Sequence, residues 1–210
     1  MLRKYIQNLI SAAIMVALLN ACASTPAPTP SVPTTVKSFK DYPDHAFNPK
    51  EYVEGMEKRG HNLLIWQDPS VDLRKYASVN VADFRERLLP EQTAFSYTSF
   101  IKSFNRDFQD SLGLTQEESS TALLIEGEMV ECNPGSRATR YLVGFGAGKA
   151  AGAVACEVYE PGKSRPSMRI YVRDRASMGM FGGNSVAMLN HIFDQVVIRL
   201  VGVLEERVGH

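Results

Sequence analysis

Three cysteines, Cys22, Cys132 and Cys156, carry the most legible chemistry of the chain. Cys22 follows Leu19-Asn20-Ala21 at the end of an apolar run that starts at Leu9 and is broken only by Ser11, with Arg3 and Lys4 ahead of it. That layout is an export signal closed by a bacterial lipobox, because the apolar run is too short for a stable span and a small-residue cleavage site follows at once. Residues 1–21 are expected to be removed, leaving Cys22 as the acylated first residue of the mature protein. Each buried CH2 contributes roughly 0.8 kcal/mol, so durable anchoring takes more than one acyl chain. In an oxidising periplasm the other two thiols are disulfide candidates on neighbouring strands. Parity sets Cys132 out of phase with Ile125 and Met129, while Cys156 is in phase with Val154. Asn133-Pro134 can re-aim Cys132, and a Cys132–Cys156 bridge is the expectation.

Gly144-Phe145-Gly146-Ala147-Gly148-Lys149-Ala150 invites a phosphate-cradling reading and fails its spacing. Val143 holds the place of the first glycine, and Ala150 replaces the hydroxyl that would meet magnesium. No nucleotide and no other cofactor is expected. Gly144, Gly148 and Gly152 instead recur at every fourth position, a spacing that permits close approach of another surface. The bland reading is a plain connection between strands. The functional one is a contact loop for lipid or a neighbouring subunit, built from Arg137, Arg140, Gly144, Phe145, Gly146, Gly148, Lys149 and Gly152. Ser177 to Gly183 is a second Gly-rich loop with apolar side chains, which either marks an interaction surface or folds back on the core.

His45, His61, His191 and His210 show no metal-ligand spacing, and no metal is expected. Glu126 and Glu128 share a strand face, as a hydrolase's carboxylates do, yet alternating Glu on a strand is ordinarily a solvated face. No nucleophile, base and orienting group assemble from these motifs, so catalytic residues are expected to be absent and the protein not to be an enzyme.

The elements that must position these residues follow from composition and period. The formal charge is zero and no basic face stands out, which argues against nucleic-acid binding. Residues 22–45 are rich in Pro, Thr and Ser and read as an extended tether, with a loosely structured lead-in from Val36 to Gly60. A single domain over 46–210 is expected, with its core in 62–208. Strands are expected at Asn62 to Trp66, Tyr76 to Phe84, Leu123 to Val130, Ala153 to Tyr159 and around Met168 to Val172. Helical spacing marks Tyr97 to Leu112 and Ser185 to Val208; His191, Asp194 and Arg199 exclude the second as a membrane span. A helix between the Val79 and Ile125 strands favours a parallel crossover, and the remaining strands pair antiparallel. The expected fold is α/β of the α+β type, a mixed sheet of about four to five strands with two helices packed on one face.

Two phrases, Asp68 to Tyr76 and Gly135-Ser136-Arg137-Ala138-Thr139-Arg140 running on to Ala150, resemble uncharacterised proteobacterial outer-membrane lipoprotein families of unknown function. The order of elements is also similar, in topology alone, to the periplasmic domain of curli-secretion lipoproteins. The resemblance implies a family and no catalytic residues. In the sorting logic of Gram-negative lipoproteins, Ala23 in place of Asp implies the outer membrane, on its periplasmic face. The expected function is a lipid-anchored docking or assembly component, partnered by an envelope protein or by further copies of itself. A subunit of an oligomeric secretion channel is the alternative, and an envelope hydrolase the third reading.

Overall fold

The computed structural model describes residues 37–43, 46–87, 98–135, 149–176 and 185–209. Strands are β1 (Glu57–Lys58), β2 (Leu63–Gln67), β3 (Val79–Val81), β4 (Arg85–Glu86), β5 (Leu123–Asn133), β6 (Ala150–Tyr159) and β7 (Met168–Ala176). Helices are α1 (Pro49–Tyr52), α2 (Thr98–Ser111) and α3 (Ser185–Val208), with single 3-10 turns at Phe39–Asp41 and Leu73–Lys75.

The strands form one mixed sheet in the order β1-β2-β7-β6-β5-β3, with β4 also pairing with β5. β3 and β4 run parallel to β5, and all other pairs are antiparallel. Interposing α2 between β3 and β5 lets both strands run the same way, since a parallel pair needs a crossover rather than a hairpin. The sheet has seven strands rather than four to five, because β1 and β4 are two residues long and too short to show a period.

On one face, α2 turns Phe100, Phe104 and Phe108 inward at four-residue spacing, and α3 buries Leu189, Ile192, Val196, Leu200 and Leu204 against the same core. α3 is apolar and long enough to cross a membrane by length and composition. Its apolar stripe is spent on this core, and its Arg199 pairs with Asp174 of β7 at 3.2 Å. β6 is buried along its whole length, which requires cover on its other face too.

That cover is the segment 37–56, which folds where a loose lead-in is expected. Ser38 caps the 3-10 turn in a capping box with Asp41, and Asn48 accepts from the amides of Lys50 and Glu51 ahead of Pro49, fixing α1. Phe39, Tyr42, Phe47 and Tyr52 pack with Val130, Ala153, Ala155 and Tyr171 into a second apolar cluster, separate from the helix-side core. The folded part therefore reaches back to Lys37, ahead of the expected boundary at residue 46.

Candidate functional site

Where the strap of residues 37–56 meets the sheet, charged side chains are buried. Strand alternation sends Glu157 and Arg169, opposite each other in the β6/β7 ladder, to the strap side, together with Glu128 of β5. Glu157 is fully buried. Its carboxylate accepts from the Ser38 hydroxyl at 2.7 Å and the Phe39 amide at 2.8 Å, and from the Tyr159 hydroxyl. Arg169 donates through Nη1 to the carbonyls of Lys37 (2.9 Å) and Tyr52 (2.8 Å), with its guanidinium over the Tyr52 and Trp66 rings at 5.4 and 5.2 Å. Arg87 does the same at the far side, donating through Nη1 to the carbonyls of Phe39 (3.0 Å) and Tyr42 (2.9 Å). Its Nη2 and Nε meet the two oxygens of Glu128 at 3.0 and 2.5 Å, a forked ion pair that Arg85 joins at 3.2 Å.

The chemistry of this face is main-chain capture. Four carbonyls of the strap are taken by two arginines and one amide by a carboxylate. Burying a Phe side chain contributes roughly 1.5–3 kcal/mol and a hydrogen bond to a charged group about 1.5–3 kcal/mol, less the cost of dehydrating the ions. The aromatic residues therefore supply most of the net attraction, and the charged groups set where the chain lies.

Glu126 and Glu128 are not the solvated face that alternation implies. Glu128 is 2% exposed within the Arg85 and Arg87 cluster, and Glu126 pairs with Lys40 of the strap. Periodicity gives the face of a strand but not what covers it. Burial holds the carboxyls of Glu157 and Glu128 above the usual range, outweighing the donors and arginines around them. A folded-state value above the unfolded one gives stability that is complete below the unfolded value and lost as pH rises through the folded one. The urea midpoint is accordingly expected to be higher near pH 5 than near pH 8. A midpoint that rises with pH would show that the arginines outweigh burial.

Cys132 and Cys156 both face the helix-side core. A bulge between Met129 and Glu131, rather than Asn133-Pro134, restores Cys132 to that phase. The ladder then places Cys132 opposite Gly152 and Cys156 opposite Gly127. Four strand positions at about 3.3 Å each separate their Cα atoms by roughly 13 Å along the strand, and a disulfide needs Cα atoms within about 7 Å. The expected bridge is not formed, and both residues are thiols. Burial pushes the Cys132 thiol up to about 12 and the Cys156 thiol well above its ordinary value. Both should resist maleimide in the native protein and react on denaturation without any reductant. Labelling that needs a reductant would mean that a bridge forms.

Gly152 lies in β6, where an added Cβ would stand 2.8 Å from Ile192 and 3.0 Å from Phe193, so it serves helix-to-sheet packing rather than a contact loop. Lys149 is exposed just before β6. Cys22, Arg137, Arg140, Gly144, Phe145, Gly146 and Gly148 lie outside the described residues, as do Ser177 to Gly183, His45 and His210. Among the described residues, no group of three His, Cys, Asp or Glu side chains converges as metal ligands would. Sequence reasoning missed the site formed by Arg87, Glu157 and Arg169. One available signal was an ionisable residue in an otherwise apolar strand, as at Glu157 in Ala150–Tyr159.

Fold and site together define a mixed-sheet α+β domain, with two helices on one sheet face and its own charge-anchored N-terminal strap on the other. The chain belongs to the family described as Domain of unknown function (DUF4410), whose match spans residues 88–200. No curated protein matches it. Among solved structures it is similar to the PelC dodecamer from Paraburkholderia phytofirmans, at 10% identity over 64% of this chain and 95% of that one, with a TM-score of 0.39. It is also similar to hypothetical protein CT253 from Chlamydia trachomatis, at 12% identity over 60% and 96% of the two chains, TM-score 0.37. A DUF4136 family protein from Bacteroides thetaiotaomicron matches at 8% identity over 65% and 96%, TM-score 0.30.

Proposed function

We propose that the protein is a lipid-anchored cell-envelope lipoprotein that acts without catalysis, as a docking or assembly component on the periplasmic face of the outer membrane. The observation that carries this reading is Cys22, placed directly after Leu19-Asn20-Ala21 at the end of a short apolar run, with Ala23 rather than Asp behind it. Further support comes from the charged cluster of the sheet, whose carboxylates are engaged by the chain's own arginines, hydroxyls and amide rather than aimed at a substrate cleft.

In cells fed a radiolabelled or alkyne fatty acid, the wild-type chain is expected to take up label and to sediment with outer membranes. Cys22→Ser should abolish the label and leave a soluble or uncleaved precursor. Label persisting in Cys22→Ser would end the lipoprotein reading. Light scattering on the lipid-free chain bears on its role, because a closed ring of many copies would favour the channel-subunit alternative over docking.

A further inference from the structure

The strap is held in an unusual way for a segment that covers a sheet. It does not extend the ladder, whose order runs from β1 to β3 without it. Its main chain is gripped by side chains, and what they read is backbone: carbonyls of Lys37, Phe39, Tyr42 and Tyr52, and the amide of Phe39. Its aromatic residues form a cluster of their own, on the opposite side of the sheet from the core built by α2 and α3. Lifting the strap would leave that larger core intact. It would also return Glu157, Arg169, Arg87 and Glu128 to water, which offsets part of the apolar area lost. The joint to β1 is short, running from Val53 to Met56 through Gly55 at φ 75°.

We propose that the Lys37–Tyr52 strap opens as a unit without unfolding the sheet, and that the groove it leaves takes the same strap from a second copy of this chain. The occupant follows from the chemistry of the groove. Main-chain capture is indifferent to which chain supplies the carbonyls, and the small Ala153 and Ala155 leave room for aromatic residues spaced as Phe39 and Tyr42 are. A second copy meets both requirements identically. Short joints favour this kind of exchange between protomers.

Two measurements test it, on the full mature chain carrying Cys22→Ser so that introduced thiols are the accessible ones. In native-state hydrogen exchange, amides of the strap are expected to be at least ~10-fold less protected than those of β6 and β7. Equal protection would mean that the strap opens only with the whole domain, and would overturn the proposal. For exchange, Lys40 of the strap and Glu126 of β5 form an ion pair and so mark the seam. Lys40→Cys and Glu126→Cys chains bearing different tags are mixed, equilibrated and treated with a short bismaleimide, beside the double variant in one chain as control. A cross-linked species carrying both tags is the expected result. Cross-linking confined to the double variant, within one chain, would show that the strap stays at home and would overturn the proposal.

Discussion

Arg169→Ala is expected to destabilise the domain by about 3–5 kcal/mol, the range for removing one partner of a buried charge cluster. The side chain is 1% exposed and stands opposite Glu157 in the ladder, so its loss leaves that carboxylate without its cross-strand positive charge. It also strips the Lys37 and Tyr52 carbonyls of their donor and removes the cation from the faces of Tyr52 and Trp66. Arg169→Met keeps most of the packing volume and should lose nearly as much, because the carbonyls are orphaned either way. Urea unfolding read by fluorescence measures this directly, since Trp66 is the only tryptophan and lies against the guanidinium. A loss under about 1 kcal/mol in both variants would show that water replaces Arg169 at no cost and that the aromatic cluster alone holds the strap.

The second large effect lies on the other sheet face. Gly127 sits opposite Cys156 in β5, and an added Cβ would fall 1.9 Å from the Phe84 ring. Phe84 cannot readily yield. Its ring packs edge-on to Phe104 and Phe108 at 5.2 and 5.0 Å, and its backbone amide and carbonyl are both held by Asn105, at 2.9 and 3.1 Å. Gly127→Ala is therefore expected to cost about 3 kcal/mol through overpacking, with the ring driven from its site. Phe84→Ala alone should cost about 3–5 kcal/mol by leaving a cavity. Combined, the two should cost less than their sum by about 1–3 kcal/mol, as the alanine methyl enters space the ring has left. Strict additivity in thermal or urea unfolding would mean that Gly127 is needed for some reason other than the ring.

Much of the fold was legible in period and punctuation. Phe100, Phe104 and Phe108 announce α2, the 3.6-residue stripe from Leu189 to Leu204 announces α3, and Val154, Cys156 and Val158 announce the helix-facing side of β6. These are readable because a helix or strand that buries one face must repeat its apolar residues at the pitch of its own backbone, a local constraint written into neighbouring residues. The crossover joining β3 to a parallel β5 was legible for the same reason, since a helix separates the two strands in the chain.

The site was not contiguous, and only tertiary structure assembled it. Arg87, Glu128, Glu157 and Arg169 come from four different strands or their ends, and the strap they grip lies as many as 132 residues away, at the Arg169 to Lys37 hydrogen bond. Alternation assigned Glu126 and Glu128 to the correct side of β5 but could not say that residues 37–56 would cover that side. Register decided the cysteines. A single bulge turned Cys132 toward the same core as Cys156, and the antiparallel pairing then set the two sulfurs four positions apart. Sequence determines which face a residue takes because backbone geometry is local; what that face meets depends on pairings between distant segments, whose free energy is settled only when the whole chain has closed.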